Sequence, residues 1–221
     1  MDDFAALRQR MVDNQIRPSE VTDHAVIKAF LSVPREEFVS PAERPFAYAD
    51  RDLRMNGSTG LPRMMMTPVQ LARLVQKLTR GPEAKVLVIG CGTGYSAAIL
   101  AGLAGRVIAV EEDDALAVQA RQLLEGLGAA NITVVSAPLV AGFPAEAPYD
   151  GILVDGAVEV LPDALVRQLK PEGVLGVIER DDGLSRAMVY ERVGDDAAKW
   201  PLFEASAALL PGFERKREFV F

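Results

Sequence analysis

The sequence has a single cysteine and a single histidine, and these two shortages exclude several kinds of site. With only Cys91 present, neither an intramolecular disulfide nor a cysteine-rich zinc site can form. With only His24 present, an HExxH metal site cannot form, and a His-based catalytic triad has little support. His24 falls in an N-terminal helical pattern and is interpreted as a surface or capping residue. We therefore expect no metal centre in this protein.

Clustered basic residues and long apolar runs are also lacking. Acidic residues outnumber basic ones by 31 to 24, which gives a formal net charge of -7. A duplex-binding surface needs concentrated Lys and Arg, so we expect no nucleic-acid partner. The longest apolar stretch, near residues 97–105, is shorter than the ~20 residues of a membrane helix. The N-terminus lacks the regions of a signal peptide, so we expect a cytoplasmic protein without a membrane partner.

What the sequence does contain, from residue 85 onward, is an alternation of short apolar runs with helical segments. This alternation predicts an α/β fold with a mostly parallel sheet covered by helices on both faces. The last three predicted strands follow one another without long helices, which indicates an antiparallel hairpin at one edge. Strands are expected near residues 85–89, 106–110, 132–135, 150–154, 173–179, 187–192, 202–208 and 216–221, and helices near 95–104, 113–127 and 161–169.

The first part of the chain has a different character. Residues 40–62 combine proline, glycine and alternating charges, which indicates an irregular segment of the kind that is often functional or mobile. Thr67 as a cap with Pro68 at the first helical position then predicts the start of a helix. We predict an N-terminal helical cap with a substrate-side loop over 1–80 and an α/β domain over 81–221, packed as one unit. Two further helices are expected over residues 3–16 and 22–33.

The main functional signal lies in residues 86–111. An aliphatic strand ends in three glycines at alternate positions, Gly90 to Gly94, and a second strand ends at Glu111, 19 residues after Gly92. Glycines let the backbone turn tightly and approach a ligand, while the acid meets ribose hydroxyls. A dinucleotide fingerprint starting at Gly90 would need glycine where the chain has Tyr95. The spacing is typical instead of adenosylmethionine-dependent methyltransferases.

Open parallel sheets bind ligands at the carboxyl ends of their strands. This rule brings the glycine turn to the same edge as the ends of the following predicted strands, where Asp155 also lies. The residues that we expect to contact the cofactor are Gly90, Cys91, Gly92, Thr93, Gly94, Glu111, Glu112, Ser136 and Ala137.

Eight short pieces of the chain carry a further signal in their order and spacing. They are residues 33–39, 47–50, 67–68, 88–95, 110–111, 127–131, 147–150 and 168–169. With these pieces the chain, through about residue 180, resembles the protein-L-isoaspartate (D-aspartate) O-methyltransferase family. The resemblance implies a seven-stranded, Rossmann-like class I methyltransferase sheet with an N-terminal helical extension. It also implies S-adenosyl-L-methionine as cofactor and methylation of the α-carboxylate of isoaspartyl residues in damaged proteins, as the start of their repair.

The chain departs from the family pattern at four positions. Met66 stands where the family has its active-site serine, and Thr67 is the nearest hydroxyl, although a helix cap explains it as well. Val88 replaces an acid that helps to hold the cofactor's amino end, and Pro138 replaces an aspartate that meets the adenine. Asp155 adds a carboxylate beside the expected point of methyl transfer. Thr67 and Asp155 are therefore the candidate catalytic residues.

These departures leave three functions open. The first is an active isoaspartyl methyltransferase whose partners are isoaspartyl-containing peptides or proteins. The second is a family member that is non-catalytic or binds the cofactor only weakly, and that acts as a binding or scaffold protein. The third is a methyltransferase for a different acceptor, with Asp155 orienting it.

Overall fold

The computed structural model describes residues 3–58, 62–78, 80–181, 183–194 and 196–215. The predicted strand over 216–221 lies outside these ranges. The helices are α1 (Phe4–Met11), α2 (His24–Ser32), α3 (Pro68–Leu78), α4 (Tyr95–Ala101), α5 (Asp114–Gly126) and α6 (Asp163–Val166). The strands are β1 (Leu53–Met55), β2 (Arg63–Met65), β3 (Lys85–Ile89), β4 (Arg106–Glu111), β5 (Ile132–Ser136), β6 (Tyr149–Val158), β7 (Leu169–Asp181), β8 (Leu184–Val193) and β9 (Asp196–Glu204).

In the described residues the main sheet has seven strands in the order β5-β4-β3-β6-β7-β8-β9. The first five strands in this order, from β5 to β7, run parallel to one another. At the other edge β8 pairs antiparallel with β7, and β9 pairs antiparallel with β8. Both the parallel sheet and the antiparallel edge were expected from the sequence. The predicted α/β, Rossmann-like fold with a mostly parallel seven-stranded sheet is confirmed.

Several element boundaries differ from the prediction. The last described strand covers Asp196–Glu204 rather than 202–208, and the helix expected over 161–169 is reduced to Asp163–Val166. The segment over 40–62, expected to be irregular, contributes Leu53–Met55 to a two-stranded antiparallel hairpin with Arg63–Met65. We refer to β1 and β2, with residues 56–58 and 62 between them, as the hairpin.

Helix α3 shows how the apolar pattern determines the packing. Leu71, Leu74, Val75 and Leu78 recur at helical spacing and are buried. The δ-methyls of Leu74 and Leu78 lie against Gly176 of β7, at 3.3 and 3.4 Å from the position that a Cβ would take there. The hydrophobic cluster that contains Leu74 and Leu78 includes residues from before and after residue 80. The division into an N-terminal cap over 1–80 and an α/β domain over 81–221 stays a prediction.

The helices of the described ranges are short, and α5 with 13 residues is the longest of them. None of them combines the length and the apolar character that a membrane crossing requires.

We predict that Leu74→Ala lowers the free energy of unfolding by about 2–5 kcal/mol, because it leaves a cavity between α3 and the sheet. Lys77→Ala, at an exposed position of the same helix, is the matched control and should change that free energy by no more than about 0.5 kcal/mol. Urea unfolding of both variants measures the difference. Equal effects of the two substitutions would contradict this packing.

Candidate functional site

The glycine turn joins β3 to α4 at the carboxyl edge of the sheet. Gly90, Gly92 and Gly94 have φ angles of +77°, +56° and +99°, a region that glycine adopts readily and other residues rarely do. The amides of Gly90 and Cys91 donate to the carbonyl of Val110 at 2.9 and 3.1 Å, so the turn is fastened to the neighbouring strand. The sequence thus places the turn where the fold requires it.

Glu111 ends β4 beside this turn, and its carboxylate is fully engaged within the protein. It accepts hydrogen bonds from the amides of Gly92 at 2.7 Å, Glu112 at 3.0 Å and Asp113 at 3.1 Å. The Arg63 guanidinium donates to its two oxygens at 2.6 and 2.8 Å. These described residues supply five hydrogen bonds, whereas a carboxylate offers about four lone-pair sites. The Glu111 side chain has no exposed surface.

Arg63 belongs to β2 and reaches the sheet edge from the hairpin. Its Nη2 also donates to the carbonyl of Gly90 at 3.1 Å, and only 2% of its side chain is exposed. The paired N–H groups of a guanidinium match the two oxygens of a carboxylate, which makes such bidentate pairs strong. The sequence prediction gave Arg63 no role. An isolated arginine directly before three methionines was the available signal, because a charge in an apolar strand needs a partner.

Two apolar side chains cover the glycines. A Cβ at Gly92 would lie 2.5 Å from the sulfur of Met55, and one at Gly90 would lie 3.1 Å from a methyl of Leu210. Leu210 belongs to the segment after β9, and its amide donates to the carbonyl of Ala157 in β6 at 2.9 Å. The space directly above the turn is therefore filled by the chain itself.

A second contact holds the hairpin at the start of α5. The Ser58 amide and hydroxyl donate to the carboxylate of Asp113 at 2.6 and 3.0 Å. The same carboxylate caps α5 by accepting from the amides of Ala115 and Leu116. The hairpin is thus bound to two acidic residues, Glu111 at the end of β4 through Arg63 and Asp113 at the start of α5 through Ser58.

The remaining predicted cofactor residues lie along the same edge. A Glu112 carboxylate oxygen accepts from the Leu139 amide at 3.3 Å, after β5. Ser136 pairs in register with Glu111, is exposed, and accepts from Arg121 at 2.9 Å, while Ala137 is half-buried. The sheet therefore brings these residues together with the turn, and their contact with a cofactor stays a prediction.

Cys91 and Thr93, within the turn, are buried. Burial raises the pKa of the Cys91 thiol well above its usual value, which disfavours the reactive thiolate. The Thr93 hydroxyl donates to the carbonyl of Phe38 at 2.7 Å, toward the N-terminal part of the chain. Both side chains are engaged in packing rather than presented to solvent.

On the expected acceptor side, Thr67 directly precedes α3. Its hydroxyl accepts from the Gln70 amide at 3.3 Å, which is the geometry of a helix cap. Met66, at the family's serine position, is buried, and its carbonyl accepts from the buried Arg35 at 2.7 Å. The Thr67 hydroxyl therefore caps α3, and its catalytic role stays a prediction.

Asp155 lies in an irregular part of β6, between the pairs Leu153–Gly176 and Ala157–Ile178. Burial raises the pKa of its carboxyl group to about 6, against the lowering influence of nearby guanidinium groups that include Arg63. Within the described ranges, no group of three or more His, Cys, Asp or Glu side chains is arranged to hold a metal ion.

Comparison with known proteins identifies the family to which this geometry belongs. The sequence model of the protein-L-isoaspartate(D-aspartate) O-methyltransferase family matches residues 6–203. The chain belongs to this family.

The protein-L-isoaspartate O-methyltransferase of Methanoregula boonei is 40% identical over 187 residues, which cover 85% of this chain and 84% of that protein. That of Koribacter versatilis is 41% identical over 170 residues, covering 77% and 75%. A solved protein-L-isoaspartate O-methyltransferase aligns with a TM-score of 0.82 and 25% identity, over 93% of this chain and 66% of that one. A Plasmodium falciparum structure with bound S-adenosyl-L-homocysteine shares the fold, with a TM-score of 0.75 and 17% identity, over 95% of this chain and 99% of that one.

The predicted family, enzyme class and cofactor class are thereby confirmed, since the isoaspartate O-methyltransferase family depends on S-adenosyl-L-methionine. Whether this chain's residues fit that cofactor can be judged from Glu111. With its oxygens saturated and Arg63 in place, it cannot also accept hydrogen bonds from ribose hydroxyls. Val88 lies in the core and Pro138 has no N–H, so neither supplies a further polar anchor. In this conformation the site does not fit the cofactor.

We predict a pH-dependent stabilisation by Asp155→Asn. Because burial raises the pKa of Asp155 to about 6, the folded protein holds a proton that the unfolded chain releases above about pH 4. The free energy of unfolding of the wild type therefore falls as the pH rises from about 4 to 6. The variant has no carboxyl group at this position, so its free energy of unfolding does not fall for this reason. The free energy of unfolding of the variant, relative to wild type, should increase by roughly 2–3 kcal/mol between pH 4 and pH 8.

Urea unfolding at pH 4, 6 and 8 measures this difference. Glu125→Gln, which neutralises an exposed carboxylate on α5, is the matched control and should show a difference close to zero throughout. A constant difference for Asp155→Asn over this pH range would contradict the prediction.

Proposed function

We propose that this protein transfers a methyl group from S-adenosyl-L-methionine to the α-carboxylate of isoaspartyl residues in damaged proteins. The observation that carries the proposal is the family match over residues 6–203, together with relatives of that name at about 40% identity. Isoaspartyl-containing peptides or proteins are then the partners, the compartment is the cytoplasm, and neither nucleic acid nor membrane takes part.

This reaction class makes little demand on acid–base residues. An acceptor carboxylate is already charged near neutral pH and requires no general base. Catalysis then depends on holding two reactants in line in a site from which water is excluded. A chain with one histidine is therefore compatible with the reaction.

The proposal assigns the acceptor side to Thr67 and Asp155, and the cofactor side to the glycine turn and Glu111. It is supported by the position of Asp155 in β6, which pairs directly with β3 and so lies beside the strand that carries the turn. Thr67 lies between β2 and α3 and is half-buried, so part of its surface is open to an acceptor.

Methylation of an isoaspartyl peptide tests the proposal. The purified protein with methyl-labelled S-adenosyl-L-methionine should label the isoaspartyl peptide as a base-labile ester, and should leave the same peptide with normal aspartate unlabelled. Absence of label above the aspartyl control would overturn the proposed function.

Variants at Thr67 test the assigned acceptor side. Thr67→Val should lower methylation at least tenfold, while Thr67→Ser, which keeps the hydroxyl, should retain it. Both can be compared at equal folded fraction, because loss of a cap costs only about 1 kcal/mol. Equal methylation by the two variants would contradict the assigned role, and Thr67 would then serve only as the cap of α3.

A second candidate function is favoured by the Arg63–Glu111 pair and by Met66. A family member whose cofactor anchor is engaged and whose serine is absent would bind its protein partner without modifying it. Binding of the isoaspartyl peptide without any label transfer would favour this candidate over the enzyme.

A further inference from the structure

We infer that Arg63 is a built-in competitor for the cofactor, which must displace it and lift the hairpin in order to bind. The inference rests on the proposed function in one respect, namely that the ligand of this site is S-adenosyl-L-methionine or its demethylated product.

The competition follows from the chemistry of Glu111. A ribose presents two adjacent hydroxyl donors to a carboxylate, and a guanidinium presents two adjacent N–H donors in a similar arrangement. Arg63 makes that bidentate contact at 2.6 and 2.8 Å, and three backbone amides take up the remaining capacity. Glu111 can therefore bind either Arg63 or a ribose, but not both.

The hairpin blocks the site at two points through one cross-strand pair. Met55 and Arg63 are register partners in β1 and β2. The Arg63 side chain reaches Glu111, while the Met55 side chain covers Gly92. A cofactor that approaches the turn and the acid therefore meets both side chains, and a movement of the whole hairpin would remove both.

The expected effect on affinity has an unusual sign. When only a fraction of the molecules is open, the apparent dissociation constant is the intrinsic one divided by that fraction. Replacing Arg63 increases the open fraction, so it should strengthen cofactor binding, whereas loss of an ordinary binding residue weakens it.

Calorimetric titration with S-adenosyl-L-homocysteine tests the inference on wild type, Arg63→Gln and Arg54→Gln. Arg54 is the matched control, because it lies in β1 of the same hairpin with an exposed side chain. We expect Arg63→Gln to bind at least tenfold more tightly than wild type, and Arg54→Gln to bind as wild type does. A folded Arg63→Gln protein that binds equally or more weakly would overturn the inference.

Removal of Arg63 leaves Glu111 buried without its cationic partner, which could prevent folding. Arg63→Lys keeps a charge but cannot span both carboxylate oxygens, so its affinity should lie between those of wild type and Arg63→Gln. On wild type itself, saturating S-adenosyl-L-homocysteine should accelerate hydrogen exchange of the amides in residues 53–58 and 63–65. Unchanged or slower exchange in the bound protein would overturn the inference without any variant.

The outcomes separate this inference from the proposed function. If wild type methylates the isoaspartyl peptide and Arg63→Gln gains no affinity, only the inference fails. If Arg63→Gln binds tightly but neither protein methylates the peptide, only the proposed function fails. If the folded Arg63→Gln and wild type both fail to bind and to methylate, both are overturned.

Discussion

The ion pair between Arg63 and Glu111 determines how this protein is put together at its functional edge. It joins a residue of the hairpin to the end of a central strand, and both side chains are almost completely buried. Removing one partner of such a pair costs about 3–5 kcal/mol, because the other charge then remains in a dry environment. The hairpin, the glycine turn and the start of α5 are therefore held as one body.

Family membership implies a molecule that binds the cofactor, whereas the site geometry shows one in which Arg63 occupies Glu111. The chemistry of the Glu111 carboxylate explains this difference. Glu111 is present at the expected place, next to a turn with the expected backbone conformation. In this conformation, however, Arg63 and three backbone amides already supply five hydrogen bonds to its two oxygens. The chemistry that suits it to a ribose, two oxygens able to accept a pair of donors, also suits it to an arginine.

The sheet was predictable because most of its strands carry continuous apolar runs between recognisable turns. β9 was misplaced because most of its residues are exposed and show no apolar alternation, whereas the apolar residues after it belong to a non-strand segment that enters the core. The hairpin was missed because strands of three residues are too short to show a period. The glycine turn and Glu111 were found from local spacing. Arg63 was not, because its partner lies 48 residues away and only the fold brings them together.

The return of the C-terminal segment to the end of β6 has a consequence for synthesis of the chain. Leu210, which packs on Gly90, emerges from the ribosome 120 residues after it, when the seven strands described for the main sheet have already left. Domains begin to fold from their N-terminal part during translation. The nascent protein therefore passes through a stage in which the sheet can be complete while the glycine turn still lacks its Leu210 cover.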